Sequence, residues 1–158
     1  MHGSADGPDT SRTTIITQDS PGVPGASEWA DTFGGAISVG DVDADGYTDV
    51  STGSTSEGIG EVYAAGQVTV LRGGRSGLTG KGASSLNQNT GNVPGTAEQN
   101  DFFGADTKPL DVNGDGRSEL FAGAVDENRD GGVWALPNPV DTPTATGSVS
   151  FGAGTRGP

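Results

Sequence analysis

The chain has 158 residues, only 30% of them hydrophobic, which is the length of one ordinary domain with little apolar material for a core. Its 8 basic and 21 acidic residues leave a net charge of −13, which repels nucleic acid and anionic membranes and attracts cations. The absence of cysteine excludes thiolate catalysis, cysteine-based zinc sites and a disulfide framework, and the lone histidine, His2, leaves no base for a Ser-His-Asp or histidine-metal centre in the body of the chain.

Twenty-nine glycines and nine prolines among short runs of Val, Thr and Ser, with no sustained helical period, predict an all-β fold of short strands and many turns. No stretch approaches the ~20 apolar residues of a membrane helix, so no membrane insertion is expected. Met1–Thr14 also holds no apolar run of signal-peptide length.

Residues 1–12 read as a disordered lead-in. Thr13–Thr17, β-branched throughout, predicts a first strand, the outer strand of a preceding unit. It is followed by a turn-rich connection through Pro21-Gly22-Val23-Pro24-Gly25 to residue 32. Ala36–Val39 and Asp49–Gly53 predict two antiparallel strands. They flank the acidic loop Asp41-Val42-Asp43-Ala44-Asp45-Gly46-Tyr47-Thr48-Asp49. Oxygen side chains at its first, third and fifth positions can turn on a common centre, Gly46 permits the sharp turn, and Asp49 can close the shell, which is the chemistry of a Ca²⁺ loop. Val68–Leu71 and Ser84–Gln88 complete the unit as third and fourth strands.

Seventy residues later the same order returns. Val93-Pro94-Gly95, Glu98, Asp101 and Phe103-Gly104 repeat Val23-Pro24-Gly25, Glu28, Asp31 and Phe33-Gly34. Asp111, Asn113, Asp115, Gly116 and Glu119 repeat the acidic loop. The second set of strands is predicted at Ala105–Leu110, Glu119–Ala124, Val133–Leu136 and Gly147–Phe151, with Pro137, Pro139 and Pro143 stiffening the connector before the last. Phe151-Gly152 repeats the dipeptide that opens each unit. The segments are thus 13–32 (the preceding strand and connection), 33–88 (first unit), 89–150 (second unit) and 151–158 (start of a further unit). Four-stranded antiparallel units in tandem are β-propeller blades, and two cannot close a propeller. The chain reads as a fragment that needs further blades or self-association, and by itself should be marginal.

Competing readings fail on particular residues. An EF-hand needs a Glu at loop position twelve, where Thr52 and Ala122 stand, and flanking helices. A P-loop at Gly80-Lys81 lacks its Ser or Thr at Gly82 and its first glycine at Arg75. Arg129-Asp130-Gly131 is a turn. The clustered carboxylates are better explained as ligands than as a glycosidase pair. Trp29, Phe33, Phe103 and Trp134 read as core or inter-blade packing, with exposure of Trp29 and Tyr63 on loops as the alternative.

The motifs Phe33-Gly34-Gly35-Ala36, Gly40 to Val50 with trailing Gly53, and their counterparts Phe103-Gly104-Ala105, Asp111 to Leu120 and Gly123-Ala124 resemble the FG-GAP repeat family. Its blades form the seven-bladed propeller of integrin α subunits and related bacterial surface proteins. The resemblance covers roughly residues 13 to 155. It implies Ca²⁺ held by side chains of Asp41, Asp43, Asp45 and Asp49 with the Tyr47 carbonyl, and a second site of Asp111, Asn113, Asp115 and Glu119 with the Arg117 carbonyl. Asn113 removes a charge and Glu119 lengthens the closing arm, so the second site should be the weaker or empty. The resemblance further implies a non-catalytic, extracellular or cell-surface adhesion module with an unknown protein or carbohydrate ligand. That ligand would be gripped by loops at Asp19–Thr32, Thr55–Gly66, Asn89–Phe102 and Val125–Gly131. The remaining alternatives are an accessory part of a secreted hydrolase or lyase, and a remnant without independent activity.

Overall fold

The computed structural model describes residues 2–4, 7–11, 13–137 and 145–152. Among them lie ten strands, no α-helix and one 3₁₀ turn at Glu127–Arg129. The strands are β1 (His2–Ser4), β2 (Gly7–Asp9), β3 (Ala36–Gly40), β4 (Asp49–Ser54), β5 (Gln67–Arg72), β6 (Thr79–Leu86), β7 (Phe103–Leu110), β8 (Glu119–Ala124), β9 (Gly132–Leu136) and β10 (Val149–Gly152). β3-β4-β5-β6 and β7-β8-β9-β10 are four-stranded antiparallel sheets in sequence order, each strand paired with its neighbour in the chain. They are propeller blades, here blade 1 and blade 2, with outer faces left open.

The core lies between the blades. On blade 1, cross-strand rows Ala36–Gly53–Val68–Leu86 and Ser38–Ser51–Val70–Ser84 form the back face. On blade 2, rows Pro109–Leu120–Leu136 and Thr107–Ala122–Trp134 form the front face that meets it. Val68, Val70 and Leu86 cluster with Phe103, Leu120, Ala122, Trp134 and Leu136, all almost inaccessible to solvent. Each large side chain among them contributes about 1.5–3 kcal/mol by leaving water. Phe103 and Trp134 pack edge to face with ring centroids 5.2 Å apart, and the Trp134 indole N–H donates to the Pro94 carbonyl at 2.8 Å. The backbones themselves touch, since a methyl group on Gly53 would overlap the Gly104 carbonyl.

Four sequence expectations are corrected. Thr13–Thr17 forms no strand, because its counterpart in the repeat, the end of β6, pairs with β5 and nothing described precedes residue 13 in that role; Ile15 is 81% exposed. The lead-in 1–12 is not without structure, since β1 and β2 pair as a small hairpin. The fourth strand of blade 1 runs Thr79–Leu86 rather than Ser84–Gln88. Phe151-Gly152 opens no new unit; Phe151 pairs with Val133 and Gly152 with Gly132 inside β10. The dipeptide misleads there because no Val-Pro-Gly turn precedes it. Most of the proline connector (138–144) and the segment 153–158 fall outside the described residues.

Candidate metal centre

The first acidic loop joins β3 to β4 and is wound by its own carboxylates. Asp43 Oδ1 accepts the Asp45 N–H at 3.1 Å, Asp45 Oδ1 the Tyr47 N–H at 2.8 Å, and Asp41 Oδ2 the Gly46 N–H at 2.9 Å. Asp49, only 1% exposed, accepts from Val42 N–H at 3.0 Å and Gly73 N–H at 2.8 Å, which ties the loop to the end of β5. The chain enters the left-handed region at Ala44 (φ +60°) and Gly46 (φ +83°). These turns bring carboxylate oxygens of Asp41, Asp43 and Asp49 within 4.8 Å of one another. Asp41 also keeps its Oδ1 buried with no hydrogen-bond partner among the described residues. The Arg72 guanidinium pairs with Asp43 at the edge of the group. Burial pushes the Asp49 carboxyl above its usual range; the Val42 and Gly73 N–H groups and Arg72 pull it back, and Asp43 adds to the rise.

The three gathered carboxylates and the orphaned oxygen fit a hard divalent cation, whose shell is built from oxygen donors. Asp45 lies outside the group, exposed, with its side chain capping Tyr47.

The second loop has the same turns but a different interior. Asp111 commits Oδ1 to Gly114 N–H at 2.7 Å and Oδ2 to Gly116 N–H at 2.9 Å. Asn113 Oδ1 accepts from Asp115 N–H and Asp115 Oδ1 from Arg117 N–H, both at 2.8 Å. Glu119 takes the Val112 N–H at 3.0 Å and the Asn113 side-chain amide at 2.7 Å. Its longer arm is thus held by a neutral donor, and no three carboxylates converge there among the described residues. Packing separates the loops as well. Blade 2 covers the first, with Ser118 N–H donating to the Asp41 carbonyl at 2.8 Å and Val42 fully buried, whereas the equivalent Val112 is 58% exposed.

Sequence reasoning missed a second polar arrangement, present in both repeats. Gln18 and Gln88, each 1% exposed, donate Nε2 to Glu57 at 2.7 Å and Glu127 at 2.6 Å across 39 residues. Each link joins the segment before a blade to that blade's loop between second and third strands. Burial raises the carboxyls of Glu57, Glu127 and Asp101; neighbouring acids add to this, while the glutamine amides lower Glu57 and Glu127 and the Glu98 N–H lowers Asp101. The seventy-residue offset of 18/88 and 57/127 was the available signal. On the loops, Trp29 is 96% exposed and Tyr63 62%, which corrects the packing reading of Trp29; Phe103 and Trp134 are core as expected.

Two stacked four-stranded blades with an acidic loop between first and second strands define a protein of the β-propeller class. The family model described as FG-GAP repeat matches residues 33–71, from Phe33 through the first acidic loop and into β5. Comparison with curated proteins gave no match. No helix among the described residues is long and apolar enough to cross a membrane.

Proposed function

We propose that the chain is a calcium-braced, non-catalytic propeller module that serves extracellular adhesion or ligand binding. The observation that carries this reading is the convergence of the Asp41, Asp43 and Asp49 carboxylates, one of which, that of Asp41, has a buried, unpartnered oxygen. Asp41, Asp43 and Asp49 would hold the ion, with Asp45 and the Tyr47 carbonyl within the same loop. Bound there, Ca²⁺ supplies the positive charge that lets the end of β3 and the start of β4 lie together despite their like charges. The second loop, with Asp111, Asn113, Asp115, Glu119 and the Arg117 carbonyl, is the weaker site because Asn113 already engages Glu119.

Ligand gripping belongs to the loops at Asp19–Thr32 and Thr55–Gly66. The exposed Trp29 and Tyr63 rings there offer flat apolar faces with polar edges, the chemistry that suits a sugar ring or a protein surface. Thermal unfolding in Ca²⁺ and in chelator tests the brace. At a hundredfold excess of Ca²⁺ over its Kd the linkage is worth about 2.7 kcal/mol, so the midpoint should rise by roughly 5–10 °C. An unchanged midpoint removes the proposal.

A further inference from the structure

At the joint inside the molecule small residues meet large ones. The back of blade 1 offers Ser38, Ser51, Ser84 and Gly53, and the front of blade 2 fills the space with Leu120, Leu136 and Trp134. A methyl on Gly40 would come within 2.6 Å of the Pro109 side chain, so the fit leaves no spare volume.

The two outward faces reverse these sizes. By strand register, the front of blade 1 has Val50 where blade 2 has Leu120, and Thr69 where blade 2 has Trp134. A groove of 460 Å³ lies on that face, lined by Ile16, Phe33, Ile37, Val50, Leu71 and Leu78. The back of blade 2 has Lys108 where blade 1 has Ser38, Phe121 where it has Ser51, Val149 where it has Ser84 and Leu110 where it has Gly40. Both faces expose apolar side chains: Ile37 is 68% and Val39 55% exposed at the rim of the first, whose central Thr52 and Thr69 are buried, and Leu110 49%, Val133 45% and Phe151 56% on the second, with Lys108 exposed beside them.

We propose that these faces bind each other between copies of the chain, the back of blade 2 in one copy docking on the front of blade 1 in a second copy. Leu110, Phe121 and Val133 then cover the groove, large against small, in the inverse of the internal joint. The contact is heterologous, so every copy retains one face of each kind and chains add head to tail until a ring closes. With four to eight blades in a propeller, that takes about two to four copies of a two-blade unit. The charge of −13 opposes the assembly, and added salt, by screening it, should strengthen association.

Sedimentation velocity of the full chain in Ca²⁺ over a range of protein concentrations provides the test. The wild type should form species of two to four chain masses that grow with concentration. Ile37→Asp blocks the front and Val133→Asp the back, and each variant should sediment as a monomer with an unchanged circular dichroism spectrum. An equimolar mixture restores one joint and should yield a dimer and nothing larger. Val39→Lys and Phe151→Lys repeat the design if either aspartate variant loses its fold. A wild type that stays monomeric throughout, association that neither substitution reduces, or a mixture that remains monomeric each overturns the proposal; the first assigns the faces to a blade of another chain.

Discussion

Gly53 and Gly104 pass one another with no room for a β-carbon, and this contact sets how closely the two blades stack. Gly53→Ala should therefore destabilise the fold by about 1–3 kcal/mol or more, read as a lower midpoint in denaturant. A neutral effect would show that β4 and β7 can separate without loss. The acidic residues differ in how far spacing revealed them. Asp41, Asp43 and Asp49 were legible because alternate oxygen side chains ahead of a glycine turn can only converge or cap. Which they do depends on one atom, and the sequence could not show that Asp41 keeps an unpartnered oxygen while Asp111 spends both of its own. Nor could it place Arg72 beside Asp43, 29 residues away, since that pairing follows from the packing of β5. Asp41→Ala should remove more of the Ca²⁺-induced midpoint shift than Asp111→Ala; the reverse order would overturn the ranking of the two loops.

At the scale of strands and loops, β4 and β8 were readable because both leave a sharp acidic turn and run into small residues, and their bounds agree with the expectation closely. Strand ends set by partners were not. β6 begins five residues early because β5 offers it a ladder across a bulge near Val70, and Thr13–Thr17 lacks such a partner despite its β-branched residues. The Gln18–Glu57 and Gln88–Glu127 links have a measurable consequence for pH. Burial holds Glu57 and Glu127 above their ordinary 4.5 and Asp101 above 3.8 in the folded chain. Keeping them ionised therefore costs stability at neutral pH. The cost disappears as pH falls through the raised folded values toward the unfolded ones. In chelator, the midpoint should rise as pH falls from 7 toward the ordinary carboxylate range, and Glu57→Gln with Glu127→Gln should flatten that rise. A midpoint that falls over this range in the wild type contradicts the assignment.

For the whole molecule, a thin core and high negative charge point to the same requirement. Among the described residues the apolar cluster lies between the two blades, each outer face exposes apolar side chains, and the acidic loop beside blade 2 collects three carboxylates, one of them paired with Arg72. On the proposed reading, Ca²⁺ would relieve the charge at the loop and blade-to-blade contact between copies would cover the faces. The repeat and its blade architecture were legible from the seventy-residue offset, whereas the inverted sizes of the two outer faces emerge only when strand register aligns Val50 with Leu120 and Phe121 with Ser51. Calorimetric titration of the metal-free chain with Ca²⁺, beside Asp41→Ala, tests the calcium brace. The wild type should show a tight site that the substitution abolishes, with at most a weaker second one. Absence of binding heat, or tight binding that survives Asp41→Ala, would contradict it.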